Sequence, residues 1–271
     1  MSRAAARLDR RSKKSKDHGP LLQLVKDETV RAPVRASKRP IEPLTERQRL
    51  YGAAIRASRL TFGIGPAGTG KTWYAAALAA EALLAGEIER IIITRPAVEA
   101  AEEKLGFLPG ELDEKIEPYF RPVRDALEER LGSGQLEYLI KAKVIEVRPL
   151  AFLRGATLKG AWVLADEMQN ATPAGMKMFL TRIGENSRFI INGDPSQKDI
   201  EGPSGLVDAV RRLGHLPFVG LIEFRTSDIV RDPVCQAIVE AYETSSNPES
   251  ERYRQSNDEI DQGGLARTLR A

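Results

Sequence analysis

The chain holds one cysteine, Cys235, and two histidines among 271 residues. A single thiol excludes an intrachain disulfide and suits a reducing compartment. So few thiol and imidazole groups cannot assemble a structural zinc site of the usual four-ligand kind. No apolar run approaches the roughly 20 residues that cross a bilayer, so no membrane association is expected. The basic N-terminus lacks the apolar core of a secretory signal, and Asp9 and Asp17 set it apart from an acid-poor transit peptide. The expected location is therefore cytoplasmic. Aromatics make up only 6% of the chain, and none interleaves the basic residues of the first 40. That weakens any reading of this arm as a base-stacking surface. The guanine-specifying pattern Asn-Lys-x-Asp is missing, which argues against a GTPase.

Charge is unevenly spread. Residues 1–40 carry 12 Lys/Arg against 4 Asp/Glu, a net +8, leaving −5 on the rest of a chain whose total is +3. We read 1–40 as a disordered basic arm, a solvated leader before it is a contact to nucleic-acid phosphates. Residues 41–243 hold the periodic, apolar-rich part and are read as one domain; 244–271 turn polar and are read as a mobile tail.

The most informative run is Gly65-Pro66-Ala67-Gly68-Thr69-Gly70-Lys71-Thr72. Gly, four residues, then Gly-Lys-Thr makes a loop whose backbone N–H groups wrap a polyphosphate, with lysine reaching the β- and γ-phosphates and a hydroxyl on Mg²⁺. Its context fits: Leu60–Ile64 reads as a buried strand before the loop, and Trp73–Leu84 as an Ala/Leu-rich helix after it. ATP and Mg²⁺ are thus the expected ligands.

Further strands are expected at 90–94, 143–147, 161–165, 188–192 and 218–224, and a helix capped by Thr45 before the first strand. About six strands alternating with helices imply an α/β fold with a mainly parallel sheet covered on both faces. Residues 105–140 are read as a helical insert or lid. Ligands of such sheets bind at the C-terminal strand ends. There the second strand-end motif, Asp166-Glu167, offers a Mg²⁺ ligand with Thr72 and a water-polarising carboxylate. A third, Gly193-Asp194-Pro195-Ser196-Gln197, offers the Gln197 amide as a γ-phosphate sensor, or else an ordinary turn. Arg95, Arg225 and Arg231 are candidates for charge stabilisation.

These strings resemble the PhoH-like family of phosphate-starvation-inducible ATPases. The carrying residues are 61–72, 94–100 (Thr-Arg-Pro-Ala-Val-Glu-Ala), 104–110 (Lys-Leu-Gly-Phe-Leu-Pro-Gly), 166–170, 193–197, 204–206 and 228–231. The resemblance implies a RecA-like P-loop fold equivalent to the first motor lobe of superfamily 1 helicases. It implies that Gln48 recognises adenine, that Arg231 is the charge-stabilising arginine, and that Arg95 lies near nucleic acid. Catalytic work would fall to Lys71, Glu167, Gln197 and Arg231, in a Mg²⁺-dependent ATPase coupled to RNA, another single-stranded nucleic acid or a protein partner. A single lobe implies a homo-oligomer, a hexamer by analogy, with Arg231 acting in cis or in trans. A nucleotide-gated binding switch with slow hydrolysis and a small-molecule kinase are the alternatives. The chain departs from the family pattern at Met168, where Ala is usual, and at Asp232, where His is usual.

Overall fold

The computed structural model describes residues 40–96 and 112–230, together with 234 and 238. Among them six strands form one sheet: β1 (Leu60–Ile64), β2 (Arg90–Thr94), β3 (Ile145–Val147), β4 (Ala161–Ala165), β5 (Arg188–Gly193) and β6 (Val219–Glu223). The order is β3-β2-β4-β5-β1-β6, and every pairing is parallel. Leu60 pairs with Phe189 on one side and Val219 on the other, while Arg90 pairs with Ala161. β1 and β4 are buried along their whole lengths, as a parallel sheet covered on both faces requires.

Among the described residues six helices accompany the sheet: α1 (Glu46–Ala57), α2 (Lys71–Leu84), α3 (Leu112–Leu131), α4 (Ser133–Lys141), α5 (Pro173–Leu180) and α6 (Gly205–Leu213). Local chemistry sets their starts. The hydroxyls of Thr45, Thr172 and Ser204 accept from the backbone N–H groups of Gln48, Gly175 and Leu206, and Pro173 occupies the first turn of α5. α2 differs: it starts directly from the left-handed Gly70 and is apolar around most of its circumference. Small alanines let it lie close to the sheet on one side and to α3 on the other, where Phe120, Val123 and Leu127 are buried.

The core therefore has two layers. One joins α1, α2, α3 and α4 to one face of the sheet; the other packs α5, α6 and the short 3₁₀ turn Leu150–Leu153 on the opposite face. Met168 is fully buried in the second layer. The expected strand at 143–147 begins two residues later, because Lys143 takes a left-handed turn conformation with φ 56°. The insert is a helical pair, α3 followed by α4, from residue 112 onward.

Candidate functional site

Because all six strands run the same way, their C-terminal ends and the loops that follow share one edge. The phosphate loop is fixed at its base from both sides. Gly65 N–H donates to Gly193 O at 3.2 Å, and Phe224 N–H donates to Ile64 O at 2.7 Å. Gly65 has φ 135°, and a Cβ there would stand 2.3 Å from the Phe224 carbonyl oxygen, so only glycine fits. Gly70, at φ 78°, has its α-carbon against Gln48: an added Cβ would lie 2.7 Å from Gln48 Nε2. Val230 N–H donates to Gly68 O at 3.0 Å, tying the segment after β6 to the loop.

Lys71 is buried under this loop. Its ammonium donates to Gly65 O and Pro66 O, each at 2.7 Å, and to Thr69 Oγ1 at 3.2 Å, and lies 5.8 Å from the centre of the Phe224 ring. Three oxygens and an aromatic face thus hold a cation at the loop centre, ready to exchange carbonyl contacts for phosphate ones.

Thr72 and Asp166, 94 residues apart, meet directly: Thr72 Oγ1 donates to Asp166 Oδ1 at 2.9 Å. Asp166 N–H donates to Thr94 O at 3.0 Å, which sets the acid at the end of β4 beside β2. Burial, and then the neighbouring Glu167 carboxylate, push the Asp166 pKa up; the Thr72 hydroxyl and Arg95 pull it back. A carboxylate held at such a cost beside a hydroxyl is a donor set for a hard cation that prefers oxygen. The loop cradle and this oxygen pair fit a Mg²⁺-polyphosphate.

Glu167 sits at φ 53°, the left-handed region that non-glycine residues rarely occupy. Its carboxylate accepts from Gln169 Nε2 at 2.5 Å and faces Arg95 Nη2 at 3.6 Å. Gln48 is buried, with Nε2 donating to Thr69 O at 3.0 Å and Oε1 accepting from Leu44 N–H at 2.8 Å. One amide proton and one lone pair remain on Gln48, the pair an adenine edge would need. Gln197 lies in a short 3₁₀ turn, Pro195–Gln197, with its side chain exposed; its backbone carbonyl accepts from Gln169 Nε2 at 3.3 Å. Arg225 leads into the 3₁₀ turn Thr226–Asp228, where its backbone N–H donates to Asp228 Oδ2 at 2.8 Å.

The structure thus brings together Gln48, the loop from Gly65 to Thr72, Asp166 and Glu167. Gln197 stands at the margin. Arg231 lies outside the described residues, as do 97–111, which contain most of two family-specific strings. Residue reading passed over Gln169, which is 1% exposed and bonds to three partners on two loops. It also passed over the buried Tyr51–Asn192 hydrogen bond of 2.5 Å behind the phosphate loop. An amide two positions past a catalytic-type acid was the available signal for the first; the second has no local signal.

The family model described as PhoH-like protein matches residues 40–243. The PhoH-like protein of Bacillus subtilis (strain 168) is 50% identical over 210 residues, covering 77% of this chain and 66% of that protein. Protein PhoH of Escherichia coli (strain K12) is 44% identical over 244 residues, covering 87% of this chain and 69% of that protein. The chain therefore spans about two thirds of the length of these relatives. Among solved structures, the DUF1998 helicase MrfA bound to DNA aligns at a TM-score of 0.43 and 14% identity, over 69% of this chain and 26% of that one. That likeness is too slight to carry a functional argument.

Proposed function

We propose that this chain, which belongs to the PhoH-like family, is a Mg²⁺-dependent ATPase that hydrolyses ATP to ADP and phosphate. The observation that supports it most is the 2.9 Å hydrogen bond from Thr72 at the end of the phosphate loop to Asp166 at the end of β4. Two motifs that are distant in sequence are joined through the groups a cation would use.

In this reading the loop from Gly65 to Gly70 binds the phosphates through its N–H groups, aided by the N-terminus of α2. Lys71 carries a fixed positive charge against the β- and γ-phosphates. Thr72 and Asp166 would hold Mg²⁺, which supplies neutralisation of the charge developing on the phosphoryl oxygens. Glu167 accepts the proton of the attacking water as the bond between the γ-phosphorus and its bridging oxygen breaks. Gln197 senses the γ-phosphate, Gln48 reads adenine, and Arg231 adds charge in cis or in trans within a homo-oligomer, a hexamer by analogy.

Coupling to RNA or another single strand has a physical route in the Arg95–Glu167 pair. A nucleic-acid phosphate that engages Arg95 would draw its guanidinium from Glu167 and free the carboxylate for water. The second reading is a nucleotide-gated switch with slow hydrolysis. The Gly68–Val230 bond favours it, because a change in the loop is passed to the segment after β6.

Phosphate release from Mg²⁺-ATP, with and without single-stranded RNA, tests both readings in the parent and in Lys71→Ala. Turnover raised by RNA and lost in Lys71→Ala supports the coupled ATPase. Tight ATP binding without turnover supports the switch. Turnover that Lys71→Ala leaves intact overturns the site.

A further inference from the structure

We propose that Gln169 is a positioning residue for the hydrolytic step, holding the Glu167 carboxylate and the Asp194–Gln197 loop as one unit. The proposal rests on the hydrolytic reading above and assigns a role to a side chain which that reading leaves unused.

Gln169 lies in the 3₁₀ turn Met168–Asn170, directly after the two acids, and is 1% exposed. Its amide faces three partners on two loops. Nε2 donates to Glu167 Oε2 at 2.5 Å and to Gln197 O at 3.3 Å, while Oε1 accepts from Asp194 N–H at 3.1 Å. Its own carbonyl accepts from Ser204 Oγ at 2.9 Å. The amide has one sensible orientation. Reversed, its NH₂ would oppose the Asp194 N–H, and its oxygen would oppose a carboxylate and a carbonyl. No hydroxyl could serve both ends, and no lysine could accept from Asp194. Position 169 therefore demands a side chain that is acceptor on one side and donor on the other.

Neighbouring residues are shaped around this bridge. At Gly193 an added Cβ would lie 2.8 Å from Gln169 Oε1 and 3.0 Å from its backbone nitrogen, so the bare glycine lets β5 approach. Asn170 reinforces the same seam one residue on: its Nδ2 donates to Asp199 Oδ2 at 3.1 Å and its Oδ1 accepts from Asp199 N–H at 2.8 Å.

The consequence is geometric. Glu167 is held in a left-handed backbone conformation with Asn170 N–H donating to its carbonyl at 3.1 Å. Its side-chain direction is then set by two partners, Gln169 on one oxygen and Arg95 on the other. The Arg95 contact is the longer, at 3.6 Å. Gln169 therefore aims the carboxylate, and the same amide fixes the carbonyl of the turn that carries Gln197. A γ-phosphate-dependent shift of that turn would be delivered to Glu167 through one side chain.

The test compares the parent with Gln169→Met and Gln169→Glu in the full chain. Methionine keeps the length and removes every polar contact. Glutamate keeps the shape and the acceptor for Asp194 N–H, but replaces the donor to Glu167 with a like charge. A kcat for phosphate release reduced about 10²-fold in both variants, with ATP affinity within about threefold of the parent, is the expected result. Glutamate should be at least as slow as methionine. In a Glu167→Gln background, Gln169→Met should slow the residual rate no further, as groups acting through one carboxylate do. A role confined to stability gives the opposite pattern: Gln169→Glu recovers the parent kcat, or ATP affinity falls together with kcat, and either overturns the proposal. Should Gln169→Met fail to fold, Gln169→Glu decides alone: a kcat at the parent value, or an ATP affinity that falls with kcat, overturns the proposal. A parent that binds ATP and releases no phosphate overturns the hydrolytic reading, and the positioning role falls with it.

Discussion

At the N-terminal edge of the sheet, Arg59 donates to Ser187 O and Gly184 O, and Arg188 donates to Ile55 O and Ser58 O. Ser187, fully buried, donates to Leu158 O and accepts from Ala161 N–H. Each of these side chains ends on backbone partners. At the C-terminal edge, Thr94 Oγ1 and Asp194 Oδ2 are buried without a partner among the described residues. Glu167 stands in a left-handed conformation, and Asp166 carries a carboxyl that burial pushes toward its neutral form. Orphaned polar atoms, strain and desolvated charge each lower stability. One edge satisfies its polar groups within the fold, and the other leaves buried polar atoms and a desolvated charge, the pattern of a site that trades stability for ligand binding. Substitutions should therefore divide by edge: stability lost and turnover kept at one, turnover lost and stability kept or gained at the other.

The largest effect belongs to Glu167→Gln. Turnover should fall by about 10²–10⁴-fold, the usual worth of a positioned general base, while the thermal midpoint stays within a few degrees of the parent. Phosphate release and thermal unfolding on the same preparation check this. A large fall in midpoint would mean that the carboxylate is structural, and the contrast between the edges would fail.

Ser187→Ala is the matching change at the other edge. It removes a donor to Leu158 O and an acceptor for Ala161 N–H in a fully buried position. The expected loss is about 1–3 kcal/mol of unfolding free energy. Leu158 O keeps its bond from Gly184 N–H, which places the value toward the lower end. ATP turnover at a temperature well below the midpoint should match the parent. Denaturant unfolding and initial-rate measurements separate the two quantities.

The two edges were not equally legible in the sequence. The phosphate loop and Asp166 could be read because their chemistry demands fixed spacing within a few residues of a strand end, and strands such as Ile91–Ile93 announce themselves by β-branched runs. In the structure the Thr72 hydroxyl donates to Asp166 Oδ1. Gln48 reaches the phosphate loop although 21 residues separate it from Thr69, a contact no local pattern encodes; the family resemblance pointed to Gln48 only as a reader of adenine. Gln169 lies inside the 166–170 string without a signature of its own, because its partner Asp194 comes from the end of the neighbouring strand β5. The N-terminal edge carries no comparable signature. Arg59, Ser187 and Arg188 look like ordinary surface-type residues, and their partners are up to 133 residues away. Long-range satisfaction of backbone carbonyls leaves no periodic mark.

Asp166→Asn gives the smallest effect and the sharpest sign. The variant keeps an oxygen for the Thr72 hydroxyl and removes a charge that burial and Glu167 disfavour. It should stabilise the protein by about 1 kcal/mol near neutral pH, even as it removes the proposed cation ligand. The pH dependence follows from the raised pKa. Starting from an ordinary value of 3.8, Asp166 holds its proton more tightly in the folded state than in the unfolded one. Below the unfolded value both states are protonated and the group adds no penalty. As pH rises through the folded value the unfolded state is favoured by the full difference, and the penalty then stays constant. The stability gap between Asp166→Asn and the parent should therefore vanish in acid, open as pH rises, and level off once the pH is above the folded value. Mg²⁺ with nucleotide should close it again in the parent alone, since the charged carboxylate would then have a partner. Unfolding midpoints of the two proteins across that pH range, with and without Mg²⁺-nucleotide, measure every part of this. A gap of the reverse sign would show that the carboxylate at the end of β4 stabilises the fold, and that the two edges of the sheet follow one rule.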